Sequence, residues 1–155
     1  MRRIFWNVAD YERIQPSLPR PLVYINGCFD LCHPGQLFLL KRGRSLGRSL
    51  VVGLNGDESV QALKGPDRPI IPEKYRAQML MSLECVDAVL VFQTPRCDRE
   101  IRAVCPDVYL KGRGWSLDLM DVGERKALED CGTRVVIDTW DLGHSTTNLI
   151  ERLRK

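Results

Sequence analysis

A doubly wound α/β sheet of five parallel strands in a single domain is the fold this sequence predicts. Three observations point to it. Short apolar runs bounded by Gly or Pro read as buried strands. Segments of helical periodicity separate one run from the next. The most residue-specific stretch, N-G-C-F-D-L-C-H-P-G-Q at 26–36, lies directly between the first run and the first helical pattern. In such a sheet the ligand crevice opens at the carboxyl ends of the strands.

Residues 1–20, with Trp6, Tyr11, Pro16 and Pro19, are expected to form a lead-in of short helix or coil, and residues 21–155 the domain itself. Pro19 and Pro21 favour an extended approach to the first strand, which is L-V-Y-I at 22–25. The first helix covers 36–46, with Leu37, Phe38, Leu39, Leu40 and Leu46 for a buried face. Gly47 suits its cap. The second strand is S-L-V-V-G-L at 49–54, turned by Asn55-Gly56-Asp57. Residues 58–71, rich in charge, Gly and Pro, read as a loop.

A helix over 72–85 follows, with Pro72 in its first turn and Tyr75, Met79, Leu80 and Leu83 directed inward. The third strand is V-D-A-V-L-V-F at 86–92. A helix over 94–105 ends at Pro106, and V-Y-L at 108–110 is the fourth strand. A helix over 118–131 is stopped by Gly132, before R-V-V-I-D at 134–138 as the fifth strand. Ser145 caps the last helix.

Composition excludes several function classes. The 155 residues carry 23 basic and 20 acidic side chains, a balance that argues against a nucleic-acid partner. No apolar run approaches the roughly 20 residues of a membrane span, and no secretory segment precedes the first strand, so a cytoplasmic protein is expected. The six cysteines are scattered without the paired spacing of a zinc site. They read as packing residues of a reduced compartment, and no protein-held metal is expected. The oligomeric state, a homodimer included, is left open.

The 26–36 stretch carries the chemistry. A strand, a tight turn and a helix start leave unpaired N–H groups and the positive end of a helix dipole at one point, a natural phosphate site. Gly27 permits close backbone approach, His33 can donate to a phosphate oxygen, and Gln36 shares the helix face with it. Lys64, Arg68 and Arg76 follow the second strand, Lys111 and Arg113 follow the fourth, and Ser145, Thr146 and Thr147 open another helix. All would face one crevice.

The run Gly27-Cys28-Phe29-Asp30-Leu31-Cys32-His33-Pro34-Gly35-Gln36 resembles the nucleotidyltransferase signature G-x-F-D-x-x-H-x-G-H, departing only at Gln36. The stretches L-N-G-D-E-S-V-Q-A-L-K-G, R-P-I-I-P-E-K-Y-R, L-K-G-R-G-W and H-S-T-T-N-L-I extend the likeness. From Val23 to Lys155 the chain is similar to the adenylyltransferase domain of ADP-heptose synthase. The resemblance implies a Rossmann-like fold and transfer of AMP from ATP, with Mg2+, onto a phosphorylated small-molecule acceptor such as heptose 1-phosphate. It implies catalytic roles for His33, Gln36, Lys64 and Arg76. It places Gly27, Cys28, Phe29, Asp30, Arg68, Lys111, Gly112, Ser145, Thr146 and Thr147 at the nucleotide. Arg113 and Gly114 stand where the family tends to carry glycine and an acidic residue.

Related signatures belong to glycerol-3-phosphate-type cytidylyltransferases, which use CTP, and to FMN adenylyltransferases. A class I aminoacyl-tRNA synthetase fragment is disfavoured by the short chain and the absence of K-M-S-K-S. A nucleotide-binding module with little catalysis is the alternative of another class, suggested by Gln36. The reaction itself asks for no general base, because a phosphate monoester with a second pKa of about 6 is already largely dianionic near neutral pH.

Overall fold

The computed structural model describes residues 3–155, and among them six strands form one all-parallel sheet in the order β1-β4-β3-β2-β5-β6. These are β1 (Arg3–Phe5), β2 (Leu22–Gly27), β3 (Ser49–Asn55), β4 (Ala88–Phe92), β5 (Val108–Lys111) and β6 (Arg134–Ile137). The sixth strand corrects the expected five. It comes from the N-terminal lead-in, where Arg3, Ile4 and Phe5 pair with Ala88, Val89 and Leu90. Three residues are too short for a periodic signal, and β1 exists because β4 offers it an edge.

Among the described residues six α-helices lie between the strands and a seventh follows β6: α1 (Val8–Glu12), α2 (Pro34–Ser45), α3 (Asp57–Lys64), α4 (Glu73–Ser82), α5 (Asp98–Val104), α6 (Val122–Asp130) and α7 (Thr146–Leu153). One apolar cluster includes Tyr24, Val51, Leu90 and Tyr109 with Tyr11, Ile101 and Leu128. The other joins Val23, Ile25, Val52 and Val89 with Leu40, Ala77 and Leu80. Alternate residues of β2 thus supply opposite faces, and the central strands β2 to β5 are mostly apolar because both of their faces are covered.

Two local expectations are corrected. Residues 57–64 are helical, with Asp57 and Glu58 in the first turn and Gly65, at φ +98°, closing the end. In α4 Arg76, Ala77 and Leu80 are buried and the cap residue Leu83 packs against the core, whereas Tyr75 and Met79 are exposed. The helix turns a cation inward because acceptors await it there.

The chain leaves β4 on one side of β2 and resumes at β5 on the other. β2 and β5 pair through Val23–Val108 and Tyr24–Tyr109, so the switch point of the sheet lies between their carboxyl ends.

Candidate active site

A cavity of about 580 Å³ opens at that switch point. Asn26 and Gly27 from β2, Asn55 from β3 and Lys111 from β5 form its floor. Its wall is the turn after β2, and Gly27 is glycine there for space. A Cβ at that position would stand 3.1 Å from the ring of Phe29. Phe29 is buried with φ +47° and Leu31 has φ +50°, left-handed conformations that cost a side-chain-bearing residue about 1 kcal/mol or more each.

The Asp30 carboxylate, fully buried, anchors the opposite loop. It accepts Arg68 Nε at 2.9 Å and the amides of Ile70 and Ile71 at 2.8 and 3.0 Å. Burial alone would raise its pKa, but the two amides and the guanidinium hold it below the ordinary carboxylate value. The Cys28 thiol is raised by burial against the opposing pull of Lys64, Arg76 and Arg68, and is a neutral wall group.

His33 is the N-cap of α2, followed by Pro34 at the first helical position. Gln36, at the third, accepts the His33 backbone N–H on Oε1 at 3.2 Å. The His33 ring lies against Gly35, where a Cβ would meet it at 3.1 Å. Its Nδ1 is buried and has no partner among the described residues. Burial, and then His144, lower its pKa. The centroids of the two imidazoles are 6.5 Å apart.

His144 leads into α7, whose N-cap Ser145 accepts the amide of Asn148 at 3.1 Å. Thr146 Oγ1 donates to the carbonyl of Asp30 at 2.8 Å, tying this helix start to the turn after β2. The amino ends of α2 and α7 therefore meet at one cavity wall, where Ser145, Thr146 and Thr147 line the opening beside His33 and Gln36.

Lys64, Arg68, Lys111 and Gly112 also line the cavity. Lys111 Nζ donates to Asn26 Oδ1 at 2.9 Å beneath the indole of Trp115, 4.2 Å from its centroid. Burial lowers its pKa, opposed by Cys97 and Glu124.

Arg76 departs from the expected phosphate contact and does not line the cavity. It is 1% exposed and donates to the carbonyls of Ile71, Cys28 and Asn55 and to the Asp57 carboxylate, all at 2.6–2.8 Å. Its guanidinium fastens the turn after β2 to the ends of β3 and the α3–α4 loop from behind.

Three ionisable cavity residues were missed by the sequence reading: His144, Arg96 and Glu124. Only His144 had a signal, its place beside the Ser-Thr-Thr helix start. Arg96 and Glu124 come from elements whose contact with the site is set by tertiary packing. Among the described residues no group of three or more His, Cys, Asp or Glu side chains is placed to hold a metal ion. No described helix is long and apolar enough to cross a membrane.

Residues 24–152 match the cytidylyltransferase-like family, a span running from β2 into α7 and holding both helix starts. The chain belongs to the cytidylyltransferase-like family. Membership supports an enzyme of the nucleotidyltransferase kind.

Among curated relatives, the bifunctional protein HldE of Geotalea uraniireducens is 44% identical over 147 residues, 95% of this chain. HldE of Helicobacter pylori strain P12 is 41% identical over 96% of this chain. The chain spans about 30% of the length of these relatives. A lipopolysaccharide core biosynthesis protein from Thermoplasma volcanium superposes with a TM-score of 0.61 at 26% identity, covering 76% of this chain and 93% of that one. A pantoate-beta-alanine ligase from Francisella tularensis, at 13% identity and a TM-score of 0.59, covers all of this chain and 80% of its own, and shares the fold alone.

Proposed function

We propose that this chain transfers AMP from ATP to a sugar 1-phosphate, a heptose 1-phosphate above all, with release of pyrophosphate. One observation carries the reading. The amino ends of α2 and α7 converge on a cavity that also holds His33, Lys64, Arg68 and Lys111. Two helix dipoles and the nitrogen donors of His33, Lys64 and Arg68 suit a polyphosphate. The likeness to HldE supports the sugar-phosphate acceptor.

The acceptor phosphate oxygen attacks the α-phosphorus of ATP. The bond from that phosphorus to the β-phosphate bridging oxygen breaks, and pyrophosphate carries the electron pair away. The barrier lies in bringing two anions together and in charge gathering on the leaving group. His33, kept neutral by burial in the free protein, takes up a proton as the triphosphate raises its pKa. Gln36 keeps one oxygen on the His33 amide and leaves its NH2 group to donate. Lys64 and Arg68 hold the β- and γ-phosphates, and Arg68 is itself held by Asp30.

Because Asp30 is committed to three donors, no carboxylate of the turn after β2 remains for a metal. These residues fit a Mg2+ ion that arrives on the triphosphate, which would neutralise developing charge. The nucleobase occupies an adjoining hollow reached past His33 and Gln36, where the Phe38 and Trp140 rings lie 5.5 Å apart. CTP with a polyol phosphate is the second reading, favoured by the cytidylyltransferase-like family match.

Pyrophosphate release should be measured with ATP or CTP against heptose 1-phosphate, glycerol 3-phosphate and FMN. The expected result is release from ATP with heptose 1-phosphate. Release from CTP with glycerol 3-phosphate alone would establish the second reading. Tight ATP binding without release from any pair would leave a nucleotide-binding module.

A further inference from the structure

Glu124, the third residue of α6, is 5% exposed and yet lines the cavity. Helix capping does not occupy it, because Asp121 already accepts the amides of Gly123 and Glu124. Its Oε1 accepts the backbone N–H of Cys97 at 3.0 Å and the Cys97 thiol at 3.3 Å. Its Oε2 accepts from none of the described residues. Carboxylates so deeply enclosed are ordinarily saturated with donors, and an open oxygen facing a cavity asks for a ligand donor.

The neighbouring groups define that ligand. Lys111 Nζ has one acceptor, Asn26 Oδ1, and keeps donors to spare. Asn26 spends its oxygen on Lys111 and on the Tyr109 hydroxyl at 2.6 Å, so its NH2 group remains to donate. Trp115 supplies an apolar plane over Lys111. A carboxylate at this end repels phosphate at short range, whereas hydroxyl groups can both donate to Glu124 and accept from Lys111 and Asn26. The phosphates belong at the opposite wall, where the helix starts lie.

We infer that Glu124, with Lys111 and Asn26, forms the subsite for the hydroxyl groups of the acceptor sugar, and that Glu124 determines specificity for a polyhydroxylated acceptor. This rests on the transferase reading above. The ribose of ATP presents similar hydroxyls, so the test separates the two sources.

Glu124→Gln preserves size and an oxygen for the Cys97 amide but removes the charge. The KM for heptose 1-phosphate should rise about 10- to 100-fold, the loss of one charge-assisted hydrogen bond. The value of kcat and the calorimetric Kd for ATP should each change less than about threefold. Cys97→Ala, which removes only the thiol contact, should leave the acceptor KM in place. An unchanged KM in Glu124→Gln overturns the inference, as does a KM shift reproduced by Cys97→Ala. A parallel loss of ATP affinity assigns the carboxylate to the nucleotide ribose and also overturns it. If wild type releases no pyrophosphate with any sugar phosphate, the transferase reading fails. Calorimetry of heptose 1-phosphate then decides separately: weaker binding by Glu124→Gln supports the subsite, and equal or absent binding overturns it.

Discussion

Gln36 holds the backbone of His33, accepting its N–H at 3.2 Å from one turn further along α2. The residue that departs from the nucleotidyltransferase signature is thereby half of a capping interaction as well as a cavity donor. Gln36→Ala removes both, and we predict a 10- to 100-fold fall in turnover, somewhat less than the loss of a full preorganised donor. Gln36→His can accept the same amide on one ring nitrogen and donate from the other, and should retain or raise turnover. Steady-state pyrophosphate release by the three proteins checks this. Wild-type turnover in Gln36→Ala would remove Gln36 from the site.

Arg76 is predicted to act on stability. Arg76→Met leaves three carbonyls and the Asp57 carboxylate without their donor, a loss of about 3–5 kcal/mol on the scale of a broken buried pair. Urea denaturation should show it as an earlier midpoint. Near-normal stability with lost ATP affinity would restore Arg76 to the phosphates.

Asp30 joins the turn after β2 to the loop carrying Arg68. Asp30→Asn replaces an acceptor oxygen with a donor facing N–H groups, and should cost about 3 kcal/mol. The folded pKa of Asp30 lies below its ordinary 3.8, so its contribution is present above that value. It is lost as pH falls through the folded pKa. An acid titration of stability should therefore be flatter below about pH 4 in Asp30→Asn. Parallel curves for the two proteins would contradict the assignment.

How much of this was legible in the sequence follows from where each interaction is encoded. His33, Pro34 and Gly35 lie in one local turn, so their residue types announced a helix start directly after the first long strand. Ser145 did the same for α7. The four central strands were visible because both of their faces are covered, and β6 because its V-V-I run is apolar between turn signals. β1 was not, since a three-residue strand is decided by the edge it meets. α3 was hidden by its charge and by the Gly65-Pro66 pair that follows it. The burial of Arg76 was equally invisible. Its acceptors are the carbonyls of Cys28, Asn55 and Ile71, which any sequence would provide. Glu124 reached the cavity through α6 packing on α5, a contact that residue spacing does not express.

His33 gives the pH dependence. Its folded pKa is lowered from 6.5, so the free protein loses stability as pH falls below that value and the ring is forced to charge. Bound triphosphate reverses the preference, favouring the imidazolium. ATP binding near pH 6.5 should therefore take up a proton, read by calorimetry in buffers of different ionisation enthalpy. His33→Gln should abolish the uptake. Equal uptake in both proteins would place the titrating group elsewhere.

Transfer of a nucleotidyl group to a sugar phosphate is assigned to the cavity where α2 and α7 meet. Mass spectrometry of the product from ATP and heptose 1-phosphate, with wild type and His33→Ala side by side, tests it most directly. We predict a product heavier than the acceptor by one adenylyl group, formed with one pyrophosphate released per turnover. Its formation should be slowed about 10²- to 10³-fold by His33→Ala, as when one preorganised donor is lost. An acceptor recovered unmodified from wild type, or an adenylylated product formed equally fast by His33→Ala, would contradict it.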